Sequence, residues 1–67
     1  MDYDEAIEKA LREIRKRGRK EITIHMLEVL TDLSPQVITR KLKKFEKFGI
    51  LKRKKRRPIT FFEVLDI

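Results

Sequence analysis

Apolar residues open the chain at Tyr3, Ile7, Ala10, Leu11 and Ile14. At about 100° per residue they fall within one narrow stripe, which predicts an amphipathic helix over about residues 3–17 with Tyr3 in the core. Asp2, Asp4 and Glu5 crowd its start and Arg15, Lys16 and Arg17 its end, complementing the helix dipole at both poles. Gly18 supplies the stop. Glu21-Ile22-Thr23 is too short for more than a loop or a one-bridge strand. Thr23 then caps a second, short helix through about Thr31 that carries Ile24, Leu27 and Leu30 inward. Thr31-Asp32-Leu33 makes a tight turn.

Ser34, a favoured N-cap, and Pro35, whose missing amide is harmless at the first helical position, start a third helix. It runs to about Phe48, and Gly49 closes it with a left-handed turn. Beyond it the period changes. Ile50-Leu51 opens a short strand that runs into Lys52, Arg53, Lys54, Lys55, Arg56 and Arg57. Pro58 interrupts, and residues 59–65 are rich in β-branched and aromatic side chains. Phe62 and Val64 share the core face; Phe61 and Glu63 share the other, leaving Phe61 as the aromatic expected at the surface. The order helix, short strand, helix, turn, helix, strand, strand predicts an α+β fold, a three-helix core with a C-terminal β-hairpin joined by a basic loop. A length of 67 residues makes this a single domain over 1–67.

A chain this short buries only ~60% of its unfolded surface, which leaves little for a walled active site. It has no cysteine, one histidine (His25) and two glycines, Gly18 and Gly49. Disulfides, a zinc knuckle, a His pair and a phosphate-cradling glycine loop are thereby excluded. No enzymatic constellation, metal site or cofactor is expected. No apolar run approaches the ~20 residues of a membrane span, and no signal-peptide core follows Met1, so a soluble cytoplasmic protein with no membrane partner is expected. The wealth of Lys, Arg and Glu suits a heat-adapted source.

Charge sharpens the picture. The chain carries 18 Lys plus Arg against 11 Asp plus Glu, a net +7. Residues 1–33 hold seven basic and eight acidic groups, whereas residues 34–67 hold eleven and three. All the excess sits in the second half, which points to a polyanion, nucleic acid before membrane. A merely solvated surface is the competing explanation. On the third helix Leu42 and Phe45 lie within about 40° of Ile38, with Phe48 on the shoulder of that stripe and also expected in the core, and Gln36, Arg40, Lys43 and Lys47 lie opposite. Thr39 and Lys44 flank that polar face. Arg can bridge the two acceptors of guanine, Gln can pair with adenine, and lysines neutralise phosphates.

The ordered set Leu33-Ser34, Ile38-Thr39-Arg40, Leu42, Phe45, Phe48-Gly49-Ile50-Leu51 and Phe61-Phe62-Glu63-Val64 resembles a winged helix-turn-helix DNA-binding domain. It is similar to those of small bacterial and archaeal transcriptional regulators. The resemblance covers nearly the whole chain. It implies that Gln36, Thr39, Arg40 and Lys43 face base edges or nearby phosphates, with Ser34 and Pro35 at a phosphate on the helix start. It further implies that the loop of Lys52, Arg53, Lys54, Lys55, Arg56 and Arg57 is the wing, on backbone or minor groove. With Lys44 and Lys47 added, these are the candidate contacts to double-stranded DNA. Glu28 and Asp32 depart from the pattern, standing where many such sequences have Ala and Gly. A homodimer on a palindrome, through the first helix or Asp66-Ile67, would extend a short site. Two other functions fit the same surface: a protein-interaction module of a replication or transcription complex, and a sequence-independent nucleic-acid binder for which the wing matters more than Gln36 and Arg40.

Overall fold

Helix α1 (Tyr3–Lys16) leads through the two-residue strand β1 (Glu21–Ile22) to α2 (Ile24–Thr31) and α3 (Pro35–Lys47), and strands β2 (Leu51–Arg56) and β3 (Ile59–Val64) complete the chain. This computed structural model describes residues 3–56 and 58–65. Asp2 at the first helix start, Arg57 of the basic run and the Asp66-Ile67 end lie outside the described residues.

The expected caps form. The Thr23 hydroxyl accepts the Met26 amide at 3.2 Å and the Ser34 hydroxyl accepts the Val37 amide at 3.3 Å, so α2 and α3 begin where the sequence predicts. Gly18 (φ 81°) and Gly49 (φ 77°) close α1 and α3 in matching ways. Arg19 N–H bonds Ile14 O and Gly18 N–H bonds Arg15 O; Ile50 N–H bonds Phe45 O and Gly49 N–H bonds Glu46 O. These paired bonds satisfy carbonyls that a helix end leaves open, in a geometry that suits glycine. Asp32 takes the left-handed conformation between α2 and α3 (φ 61°, ψ 22°), its amide donating to Glu28 O at 2.9 Å. The turn is thus closed by an aspartate doing a glycine's work, which short Asp and Asn side chains tolerate better than others.

The core draws on every element: Ile7, Ala10, Leu11 and Ile14 of α1, Ile22 of β1, Leu27 of α2, Ile38, Leu42 and Phe45 of α3, and Leu51, Phe62 and Val64 of the sheet. The sheet is antiparallel throughout, in the order β1-β3-β2. Glu21 pairs with Glu63 and Ile22 with Phe62, so β1 is a genuine edge strand and β3 is central. That corrects the expectation for Phe61. It points away from Phe62, as the alternation requires, but is only 9% exposed. It lies beside Glu21, Thr23 and Arg56, because a central strand has neighbours on both sides.

Three other side chains expected in the core are outside it. Phe48 is 67% exposed, Leu30 43% and Tyr3 42%. For Phe48 the cause is termination: α3 ends at Lys47, so Phe48 is a cap residue (φ −87°, ψ 2°) whose side chain leaves the helical projection. Tyr3 begins its helix, and only Leu27 of α2 is fully buried. Substitution separates the two classes. Leu42→Ala is expected to cost about 2–5 kcal/mol, while Phe48→Ala stays within about 0.5–1 kcal/mol. Urea unfolding of both variants measures this, and similar losses would contradict the burial pattern.

Candidate nucleic-acid interface

Because Ile38, Leu42 and Phe45 are buried, the far side of α3 is left to solvent. Gln36, Arg40, Lys43 and Lys47 are all exposed there, with Thr39 half-buried at the edge. Pro35, Gln36, Thr39, Arg40 and Lys43 line one shallow depression along the helix. Among the described residues no carboxylate pairs with Arg40, Lys43 or Lys47. Their charge is available to a polyanion; Arg40 provides a planar fork of donors, and Gln36 a donor and an acceptor in one plane. The Ser34 oxygen is occupied by its cap bond, which leaves the hydroxyl proton free to donate outward.

Lys44 differs from its neighbours. Its ammonium bonds the Asp4 carboxylate at 2.5 Å, and Lys41 reaches the same group at 3.3 Å. Asp4 therefore ties the start of α1 to the middle of α3, a role beyond its dipole complement. The bond from Lys44 holds the Asp4 carboxyl below its ordinary 3.8, against an opposing pull from burial, with Lys41 adding to the depression.

The basic run is not a loop. Lys52, Arg53, Lys54, Lys55 and Arg56 lie in β2, paired residue by residue with β3 as far as Arg56↔Ile59. The β-forming segment 59–64 draws the basic segment into a ladder, and the strand pleat then divides its charges. Arg53 and Lys55 share the face of Phe62 that packs toward the helices. Lys52, Lys54 and Arg56 share the face of Phe61 that points away. Several of these cations are engaged within the chain. The Arg53 guanidinium donates to Glu46 at 2.9 and 3.2 Å and lies 5.5 Å from the Phe62 ring, joining β2 to α3. Lys54 pairs with Glu63 at 2.8 Å, and Arg56 lies 5.4 Å from the Phe61 ring. The Lys54 bond, with its charge, holds the Glu63 carboxyl below its ordinary 4.5, and Lys52 and Lys20 add to this. That cluster offsets the otherwise repulsive Glu21–Glu63 cross-strand pair.

Of the cations proposed from sequence, Arg40, Lys43, Lys47, Lys55 and Arg56 stand without a carboxylate partner among the described residues, Lys44, Arg53 and Lys54 are paired, and Lys52 lies opposite Glu63 in the ladder. The sequence reasoning missed the three carboxylates, Asp4, Glu46 and Glu63, that make this division. One was within reach: the hairpin register puts Glu63 diagonal to Lys54, where long side chains meet. Among the described residues no group of three or more His, Cys, Asp or Glu could hold a metal ion, and no helix is long and apolar enough to cross a membrane. No known protein family, curated protein or solved structure matches the chain.

Two measurements follow from these ties. Asp4 and Glu63 have depressed folded-state pKa values. Each contributes stability that is complete above its ordinary value and is lost as pH falls through the depressed one. Thermal melts should therefore decline most steeply below about pH 4, and Asp4→Asn or Glu63→Gln should flatten that limb. An acid limb unchanged in both variants would count against the pairs. Arg53→Ala should lower stability at neutral pH by about 0.5–2 kcal/mol through the lost ion pair and ring contact, whereas Lys43→Ala should leave it within about 0.5 kcal/mol.

Proposed function

We propose that the chain is a winged-helix domain that binds double-stranded DNA with sequence preference and acts as a transcriptional regulator. The observation that carries this reading is the two-sidedness of α3. Its apolar seam is buried, and the opposite side offers Gln36, Arg40, Lys43 and Lys47 to solvent with no carboxylate among the described residues to neutralise them. A helix of 13 residues presenting that set fits the width of a major groove. Arg40 then bridges O6 and N7 of a guanine, and Gln36 pairs with an adenine. Lys43 and Lys47 meet phosphates on the groove walls. Ser34 and the amides at the start of α3 contact a phosphate in line with the helix dipole.

The hairpin acts as the wing in a narrower sense than a fully basic loop would. Lys55 shares the face of the hairpin that turns toward α3, and it is the wing cation best placed to follow the same duplex. Arg53 holds the hairpin against α3 through Glu46 and sets the angle at which Lys55 is presented. Lys52 and Arg56 add positive field from the far side. A two-fold dimer on a palindromic site would double the bases read, with half-sites about one helical turn apart.

Selection of bound sequences from random duplexes is the decisive experiment, and a recovered motif is the expected result. Recovery of none would favour sequence-independent binding or protein docking. With about five phosphates neutralised, log K should fall against log[salt] with a slope of about −4 to −5. Arg40→Ala should cost about 1–3 kcal/mol on the preferred site and little on random DNA. Equal losses on both would remove its reading role.

A further inference from the structure

A second surface lies on α2, away from the buried side of α3. The C-terminal half of α1 and the outer side of α2 enclose a groove lined by Ile14, Met26, Val29 and Leu30, with Arg17, Arg19 and His25 around it. Its floor is apolar: Ile14 is buried and Met26 packs against the core. Val29 and Leu30 are 70% and 43% exposed. Single exposed aliphatic residues are ordinary, but these two are contiguous with Met26 and Ile14 in one concavity. No carboxylate of the described residues lines it. Arg17 has an exposed contact with Glu13 at 3.4 Å, a geometry that neutralises little in water.

From this combination we propose that the α1–α2 groove docks an acidic amphipathic helix of a partner protein. Apolar side chains at a spacing of three and four would cover Met26, Val29 and Leu30, and flanking Glu or Asp would meet Arg17 and Arg19. The exposed side of the eight-residue α2 extends about 12 Å, which accommodates about two turns of such a helix. Charge selects this occupant over two others. A nucleic-acid backbone gains nothing from an apolar floor, and a two-fold contact between copies of this chain would set Arg17 and Arg19 against themselves. The proposal does not depend on the DNA reading, since it uses no residue of α3 or the hairpin.

The test uses the full chain and two synthetic helical peptides of about 14 residues, alike in Leu spacing, one with Glu and one with Lys at every polar position. Fluorescence anisotropy and amide chemical shifts are recorded at low and high salt. The Glu peptide should bind with shifts centred on Ile14, Met26, Val29 and Leu30, at least tenfold more tightly than its Lys twin. Val29→Glu and Leu30→Ser, both at exposed positions whose folding a thermal melt verifies, should each weaken it at least tenfold. Val29→Glu should retain wild-type duplex affinity, and Arg40→Ala should retain peptide affinity, so that either proposal can fail alone. Four results would overturn the docking proposal: no saturable binding below about 1 mM, equal binding of the twins, shifts centred on Arg40 and Lys43, or a dimer of this chain abolished by Val29→Glu.

Discussion

Burial of Ile38, Leu42 and Phe45 is the constraint on which the remaining geometry depends. Each turn of α3 contributes one of these side chains to a core shared with α1 and the sheet, and this fixes the helix in rotation as well as position. Rotation is what matters for the proposed reading of a duplex. A twist of about 100°, one residue's worth, would bury a cation and expose a leucine, a change far costlier than any surface contact could repay. The direction in which Arg40 and Gln36 project is therefore set from inside the protein. It does not rely on flexible side chains finding a target.

Scarce carboxylates do the second part of the work. Glu46 and Glu63 take Arg53 and Lys54, while Asp4, from the other half of the chain, takes Lys41 and Lys44. Each pair joins two elements: α1 to α3, α3 to β2, or β2 to β3. The same ions that secure the hairpin and the first helix also decide which cations stay uncommitted. Those left over concentrate on the far side of α3 and at separate points along β2. Surface pairs of this kind contribute modestly one by one, and their larger effect is on where positive potential remains.

How far the sequence was legible follows from the range of each interaction. Helix starts and stops depend on residues within one turn, so Thr23, Ser34, Gly18 and Gly49 could be read directly. The seams of α1 and α3 could also be read, because periodicity is a local property. Phe61 and Phe48 were misplaced because their exposure is decided at a distance. Phe61 is covered only because β1 pairs on the far side of β3, a contact across some forty residues. Phe48 falls one position beyond the last helical turn. The basic run was mistaken for a loop for a related reason. Its composition disfavours a strand, and only the apolar segment opposite it compels one. The ties from Asp4 and Glu46 have no local signature at all.

Placing that run in β2 has one more consequence. With β3 in the centre and β1 only two residues long, β2 is the sheet's long free margin, whose unpaired amides and carbonyls could template a strand from another molecule. Five successive cations line that margin, so an incoming copy of the same segment would meet its own charge at every step. Such repulsion is a safeguard against runaway strand addition, built into the protein whatever else those side chains touch.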